Sequence, residues 1–225
     1  MTGLPLSIRD LHKTYPGAEH PVFDGFNLDV EAGTLCAVVG VSGVGKTTLL
    51  NCVAGLDRWE GGTIEAGGIQ VPMGQPEAAA LYRRANVGLA FQQPHLLPEF
   101  TVAENLLMPI RIAGELTPAD TAWAQELLDK VGLTGLGDRL PSTLSGGQAA
   151  RVGLIRALAR RPGIWLMDEP TGNLDPATAL EVFDFLVSLH EDLRPTTLLV
   201  THNMALAERC QRIVRLGPRE DLEKH

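Results

Sequence analysis

The chain has 225 residues, of which 44% are hydrophobic and 20% charged, and its formal net charge is −8. These values are typical of a globular protein and exclude disorder as the main state, and apolar runs such as Leu35–Val39 and Ile164–Met167 are too short to cross a bilayer. A general nucleic-acid binder usually carries the opposite charge, so we expect no nucleic-acid partner.

The cysteines and the first residues indicate a cytoplasmic protein. Cys36, Cys52 and Cys210 are odd in number, widely spaced and without a CxxC pair. A disulfide framework or a zinc site is therefore disfavoured, and reduced, buried thiols are expected. Residues 1–16 lack the apolar segment of a secretory signal peptide.

The first strongly predicted strand is Leu35–Val39, a continuous apolar run bounded by Gly33 and Gly40. Such a run is typical of a strand that is buried on both faces of a parallel sheet. A helix is predicted over Lys46–Val53, and Gly55 marks its end.

The turn between this strand and this helix has the pattern GxxxxGK[ST], in the strand-to-helix context that a phosphate-binding loop requires. Its backbone N–H groups can surround an anion at the positive end of the helix dipole. Lys46 would neutralise the β- and γ-phosphates of a nucleotide, and the Thr47 hydroxyl would bind Mg²⁺. The candidate nucleotide-binding residues are Gly40, Val41, Ser42, Gly43, Val44, Gly45, Lys46, Thr47 and Thr48.

The middle of the chain, from about 94 to 160, shows no strand pattern. Thr117 and Pro118 predict the start of a helix, and Gly132 predicts its end. Apolar residues recur between them at helical spacing and predict a core-facing stripe: Trp123, Leu127 and Val131. We therefore predict a helical insertion.

Two further buried strands are predicted at Ile164–Asp168 and Thr197–Thr201, with a helix over Ala177–His190 between them. This alternation predicts an α/β fold with a parallel sheet. Asp168 and Glu169 follow the apolar run of the first of these strands. Because ligands bind at the carboxyl ends of parallel strands, Asp168 is expected beside the phosphate loop, where it could bind Mg²⁺. Glu169 could activate a water molecule.

The segment Leu144-Ser-Gly-Gly-Gln148, together with the phosphate loop, resembles the signature of ABC-transporter ATPases. Four more segments resemble motifs of that family in the same order: Lys13-Thr-Tyr15, Phe91-Gln92, Glu169–Asp175 and Val200-Thr-His202. The resemblance covers nearly the whole chain.

The resemblance implies a fold and a division of the chain. The expected fold is α/β, a P-loop NTPase (RecA-like) core with an inserted helical signature subdomain and a small antiparallel β part near the N-terminus. It implies one ABC ATPase domain over 1–225, with the core at about 1–92 and 161–225 and the helical subdomain at about 93–160. In the family, two such domains pack head to tail and hold ATP between them.

The resemblance also assigns roles to residues. Tyr15 would stack on adenine. Catalytic roles fall to Lys46, Gln92, Glu169 and His202, and the Mg²⁺ ligands would be Thr47, Gln92 and Asp168. Residues that would reach the ATP of the partner subunit are Ser145, Gly146, Gly147, Gln148 and Asp175.

The branch of the family is indicated by Leu96–Pro109, which resembles ATPases of lipoprotein-release and macrolide-export systems, and Thr171–Asp175 agrees with that branch. The cell-division ATPase of the FtsE kind is a near neighbour with much of the same pattern.

The resemblance implies a dimer, formed with a second copy of the chain or with a close relative, on the inner face of the cell membrane. A permease partner would bind in a groove near 92–108. Two competing hypotheses are a soluble ABC ATPase and a module that holds ATP without turnover. Ala149, Ala150 and Asn203 depart from the usual family pattern.

Overall fold

The computed structural model describes residues 2–217. Met1 and residues 218–225, which the predicted domain includes, lie outside the described residues. The strands are Leu6–Lys13 (β1), Phe23–Val30 (β2), Leu35–Val39 (β3), Gly61–Ala66 (β4), Ile69–Gln70 (β5), Val87–Phe91 (β6), Ile164–Asp168 (β7), Thr196–Val200 (β8) and Arg212–Arg215 (β9). The α-helices are Lys46–Val53 (α1), Pro76–Asn86 (α2), Val102–Arg111 (α3), Pro118–Lys130 (α4), Gly146–Leu158 (α5), Pro176–Leu193 (α6) and Met204–Ala207 (α7), and a short 3₁₀-helix spans Pro141–Thr143.

Five strands form a parallel sheet in the order β6-β7-β8-β3-β9. All five residues of β3 and of β8 are buried, in agreement with their apolar runs. Because the strands run in one direction, the ends of β3, β6, β7 and β8 meet at one edge of the sheet. The residues that follow those ends are therefore neighbours in space.

The predicted element bounds agree with the structure except at two places. Helix α6 begins one residue before Ala177 and continues to Leu193, because Asp175 caps its first turn and Arg194, in the left-handed conformation before Pro195, ends it. Strand β8 begins and ends one residue earlier than Thr197–Thr201.

The other sheet is antiparallel, in the order β2-β1-β4-β5. Its inner face and one face of the parallel sheet enclose α1, so that the side chains of all three pack in one buried cluster. The opposite face of the parallel sheet packs against helices α3 to α6 in a second cluster. Successive residues of β7 illustrate this division, since Leu166 belongs to the first cluster and Trp165 to the second.

Helices α3, α4 and α5 occupy the predicted insertion, and α4 has the predicted start. Thr117 caps it in a reciprocal hydrogen-bond pair with Asp120. Trp123 is buried, as predicted from its spacing, and the Arg161 guanidinium lies 4.7 Å from the centroid of its ring. The helical pattern thus identified core residues correctly.

The three thiols are free in the structure. Burial raises the pKa of Cys36 to about 11 and those of Cys52 and Cys210 to about 12. Cys210 is only partly buried, which corrects the expectation that all three lie in the core.

A buried amide organises the segment before α3. Asn105 is fully buried; its side-chain oxygen accepts a hydrogen bond from Leu97 N–H, and its side-chain nitrogen donates to the carbonyls of Leu97, Phe100 and Thr101. This one side chain therefore holds the loop between β6 and α3 in shape.

We expect Asn105→Ala to lower the free energy of unfolding by about 2–4 kcal/mol, because it removes a fully buried side chain together with its four hydrogen bonds to the loop backbone. Urea denaturation measures this loss, and hydrogen exchange is expected to rise in residues 97–101. The exposed variant Gln125→Ala is the control, with a change below about 0.5 kcal/mol. Equal stability of Asn105→Ala and the wild type would show that the buried network contributes little.

Candidate functional site

A cleft of about 740 Å³ opens at the edge of the sheet where β3, β6, β7 and β8 end. It brings together most of the residues that the motifs identified. Its lining consists of Tyr15, Val22, Ser42, Gly43, Gly45, Lys46, Thr47, Thr48, Phe91, Gln92, Gln93, His95, Asp168, Glu169, Val200 and His202. Val22, Gln93 and His95 were not identified from the sequence, because no motif signals them.

The phosphate-binding pattern forms the turn from β3 into α1. Gly45 precedes the helix with a φ of 108°, and a Cβ atom there would lie 2.4 Å from the Val22 side chain. Glycine is therefore required at this position. No side chain caps the first turn of α1. The N–H groups of this turn therefore have no side-chain oxygen as a hydrogen-bond acceptor. This geometry suits an anion.

The basic residue of the loop folds back over it. Lys46 Nζ donates to the carbonyl oxygens of Gly40 at 2.9 Å and Val41 at 3.0 Å. The ammonium group thus lies beside the same turn as the N–H groups. Together they concentrate positive charge on one side of the cleft.

The acidic residues of the cleft lie at the end of β7 and directly after it. The Thr47 hydroxyl donates to Asp168 Oδ2 at 2.8 Å, which places this carboxylate beside the phosphate loop, as predicted from the strand ends. Thr47 and Asp168 offer two oxygen ligands at one point. Hard cations such as Mg²⁺ prefer oxygen ligands, and Mg²⁺ is usually held by one or two carboxylates together with substrate phosphates.

The protein ligands alone do not form a metal cage. Among residues 2–217, no group of three or more His, Cys, Asp or Glu side chains could hold a metal ion. The donors beside the phosphate loop therefore fit a cation that arrives with a phosphate ligand, and they do not fit a structural metal.

Glu169 has an unusual backbone. Its φ is 50°, in the left-handed region that non-glycine residues rarely adopt, and its N–H donates to Val200 O at 3.0 Å. This conformation costs about 1–2 kcal/mol. The turn points the carboxylate at His202, whose Nδ1 forms a hydrogen bond with Glu169 Oε2. Strain of this kind is concentrated at functional sites.

Gln92 lies next to this pair, at the end of β6. The preceding Phe91 is paired with Asp168 in the sheet, so Gln92 follows directly beside Glu169. Its side-chain nitrogen donates to Asn173 Oδ1 at 2.8 Å. The sequence motif had identified Gln92 but assigned no role to Asn173.

An aromatic ring lies at the rim of the cleft. Tyr15 is 39% exposed, and its hydroxyl donates to Asp57 Oδ2 at 2.7 Å and lies 3.2 Å from Thr48 Oγ1. Lys13 Nζ lies 4.3 Å from the centroid of the ring and forms an ion pair with Asp57 at 3.0 Å. These contacts fix the ring while leaving it accessible.

Asp57 is a site residue that the sequence did not reveal. Burial alone would raise the pKa of its carboxyl group, but hydrogen bonds from Tyr15, Lys13 and the Arg58 N–H outweigh this effect, and the pKa lies below its usual value. Asp57 therefore carries the charge that holds Tyr15 and Lys13 together.

The signature segment does not line the cleft. Ser145 caps α5, and Gln148 completes the reciprocal hydrogen-bond pair. Gly146 and Gly147 form the first turn beside α6, where a Cβ atom at Gly147 would lie 2.6 Å from Thr178. Asp175 caps the start of α6, and hydrogen bonds from Thr178 and other backbone groups keep its pKa below the usual value. The residues predicted to reach the ATP of the partner subunit thus lie at the starts of α5 and α6, outside the cleft.

The three residues that depart from the usual family pattern lie in α5 and at the start of α7. Ala150 is buried against the core cluster, and Ala149 is partly buried beside it in α5. Asn203 caps α7, accepting hydrogen bonds from Ala205 and Leu206 N–H. Asparagine performs this capping role as well as aspartate does.

Comparisons with known proteins agree with this geometry. A family model described as "ABC transporter" matches residues 23–172. The lipoprotein-releasing system ATP-binding protein LolD of Geobacter metallireducens is 44% identical over 213 residues, which cover 94% of this chain and 95% of the relative. LolD of Xanthomonas oryzae pv. oryzae is 41% identical over 208 residues, which cover 92% of this chain and 85% of the relative.

Two solved structures have the same fold. The dimeric structure of MJ0796, a bacterial ABC transporter cassette, has a TM-score of 0.81 at 32% identity and 94% coverage of both chains. A post-hydrolysis state of that cassette, bound to ADP and Pi, has a TM-score of 0.80 at 32% identity. The fold and family expected from the motifs are thereby confirmed. This chain belongs to the ABC transporter family and is an ABC ATPase subunit.

Proposed function

We propose that the chain binds ATP with Mg²⁺ in the described cleft and hydrolyses it as half of a homodimer that drives a membrane permease. The observation that carries this proposal is the convergence of the phosphate loop, Asp168, Glu169 and His202 at one edge of the sheet. The whole chain acts as one ABC ATPase domain, with residues 93–160 as the helical subdomain.

The loop residues and Tyr15 hold the nucleotide. The N–H groups of the loop and the first turn of α1 bind the phosphates, and Lys46 leaves the Gly40 and Val41 carbonyls to neutralise the β- and γ-phosphates. Tyr15 stacks on the base, since its ring is exposed at the rim of the same cleft.

Glu169 is the group that activates water. Glu169 lines the same cleft as the phosphate loop, and the strained turn and the His202 contact set the direction of its carboxylate. His202 keeps Glu169 in place and also contacts the γ-phosphate. Lys46 stabilises the charge that develops on the phosphoryl oxygens.

Thr47, Asp168 and Gln92 would hold Mg²⁺ through their oxygen atoms. When bound, Mg²⁺ neutralises phosphate charge and orients the γ-phosphate. The hydrogen bond between Thr47 and Asp168 already places two of these ligands together.

The second ATP-binding surface comes from another copy of the chain. Ser145, Gly146, Gly147, Gln148 and Asp175 lie outside the cleft of their own subunit. The N–H groups of Gly146 and Gly147 in the first turn of α5 suit a phosphate that is held by the partner subunit, whereas the Gln148 N–H is engaged by the Ser145 side chain. The dimeric form of the MJ0796 cassette supports this arrangement.

The membrane partner binds along residues 92–108. Leu97 in this segment and Phe91 directly before it are 39% and 40% exposed, and the buried Asn105 side chain fixes the shape of the segment. Among the described residues, no helix is long and apolar enough to cross a membrane. The permease partner would hold the chain at the inner face of the cell membrane. The relatives named for lipoprotein release favour a lipoprotein-releasing permease.

A capture experiment tests the membrane role. Tagged Glu169→Gln protein, closed with ATP and Mg²⁺, is added to detergent-solubilised membranes of its own source. We expect a polytopic membrane protein to co-purify and to be lost when Leu97→Asp is introduced. Soluble partners alone, recovered although the ATP-bound dimer has formed, would contradict the membrane role.

We expect Tyr15→Ala to weaken ATP binding about tenfold, because base stacking on an aromatic ring contributes about 1–3 kcal/mol. Tyr15→Phe keeps the ring but loses the hydrogen bond to Asp57, so a smaller loss of about two- to threefold is expected. Titration calorimetry without hydrolysis compares the two variants. Unchanged affinity in Tyr15→Ala would show that the ring does not hold the base.

A further inference from the structure

A hydrogen bond connects two loops beside the strained Glu169. Gln92, which follows β6, donates its side-chain N–H to Asn173 Oδ1 at 2.8 Å. Asn173 lies in the turn after β7, which the Gly172 N–H closes by donating to Glu169 O at 2.9 Å. The two residues are 81 positions apart in the chain, so the contact depends on the fold.

The same turn packs against the Gln92 amide. A Cβ atom built at Gly172 would lie 2.9 Å from Gln92 Nε2 and 3.3 Å from Gln92 Cδ. The nitrogen end of the amide is therefore hydrogen-bonded to the Asn173 oxygen and lies so close to Gly172 that a side chain at that position would collide with it. Turning the amide over would break this hydrogen bond and bring the amide oxygen against Asn173 Oδ1.

This arrangement determines which atom of Gln92 remains available. An amide has one oxygen that can bind a cation and one nitrogen that cannot, because the nitrogen is a donor only. The nitrogen is engaged by Asn173, and within residues 2–217 no group donates a hydrogen bond to Gln92 Oε1. Gln92 lines the cleft, whereas Asn173 does not.

We propose that Asn173 is a positioning residue that fixes the Gln92 amide with its oxygen available to the ATP-bound Mg²⁺ and its nitrogen turned away. This inference rests on the proposed function. Asn173 does not touch the nucleotide or the metal and acts only through Gln92. Without Asn173, the Gln92 amide would be free to rotate, and only some of its orientations would present an oxygen.

The test measures binding of Mn²⁺, a paramagnetic substitute for Mg²⁺, to ATP-loaded protein by electron paramagnetic resonance. All variants carry Glu169→Gln, so that ATP is not consumed. Asn173→Ala is expected to weaken Mn²⁺ binding about fivefold, the effect of losing one hydrogen bond. Asn173 is exposed, so the fold is expected to persist.

Two variants separate positioning from a general effect. Asn173→Asp keeps an oxygen acceptor for Gln92 and is expected to restore Mn²⁺ affinity to within twofold of the parent. Gly172→Ala keeps Asn173 but places a methyl group against the Gln92 amide, and it is expected to weaken Mn²⁺ binding as Asn173→Ala does.

The decisive comparison is between each single variant, Gln92→Ala or Asn173→Ala, and the double variant that carries both changes. Gln92→Ala alone is expected to weaken Mn²⁺ binding about as much as Asn173→Ala, and adding Asn173→Ala to it is expected to have no further effect. If the losses of Mn²⁺ affinity in the two single variants multiply in the double variant, the inference is overturned. It is also overturned if Asn173→Ala binds Mn²⁺ as tightly as its parent. If the parent binds ATP and Mn²⁺ and Gln92→Ala binds Mn²⁺ equally well, the inference is overturned, but the proposed ATP site is not. A parent that does not bind ATP would instead overturn the proposed function and the inference with it.

Discussion

Steady-state ATP hydrolysis is expected to fall at least about 100-fold in Glu169→Gln, because general-base catalysis typically contributes 10²- to 10⁴-fold. The amide keeps the size of the side chain and can still contact His202, but it cannot accept a proton from water. ATP binding is expected to remain, since Glu169 is not part of the phosphate loop. Phosphate release and nucleotide affinity, measured on the same protein, separate the two effects.

The matched control is Glu126→Gln, which makes the same chemical change on the exposed face of α4. It is expected to retain wild-type turnover. A Glu169→Gln protein that hydrolyses ATP at the normal rate would show that another group activates water, and the strained turn at Glu169 would then need a different explanation.

For Lys46→Ala we expect ATP binding about 10- to 100-fold weaker, and hydrolysis lost with it. A hydrogen bond to a charged group contributes about 1.5–3 kcal/mol, and Lys46 would make such bonds to the phosphates. The folded loop is expected to survive, because its shape depends on glycines such as Gly45 and on backbone hydrogen bonds. Fluorescent-ATP titration measures the change.

Lys130→Ala provides the comparison for this loss. Lys130 forms an ion pair with Asp192 at 2.7 Å, away from the cleft, so its removal leaves the phosphate loop intact. Its ATP affinity is expected to equal that of the wild type. If Lys46→Ala bound ATP as tightly as Lys130→Ala, the assignment of the phosphate loop would be wrong.

The parts of the site that could be predicted are those that depend on local sequence or on strand ends. The phosphate loop is contiguous, and its glycines directly precede a helix. Asp168 lies beside it because parallel strands end at one edge of the sheet, which the apolar runs of β3 and β7 already indicated.

The parts that could not be predicted depend on side-chain contacts between distant loops. Tyr15 and Asp57 are 42 positions apart, and no motif relates them. Their contact follows from how the antiparallel sheet packs over α1. That sheet was expected only from the family resemblance, because β1 is interrupted by a bulge at Asp10, with a φ of 49°, and its apolar residues do not alternate regularly.

The assembled ATPase is tested most directly by the mass and nucleotide content of Glu169→Gln protein after gel filtration with ATP and Mg²⁺. Light scattering is expected to give twice the 24.2 kDa mass of the chain, with one ATP per chain, and Ser145→Arg is expected to return the protein to a monomer. A protein that stayed at 24.2 kDa with ATP bound would contradict the shared site. A protein without nucleotide would contradict the ATP site itself.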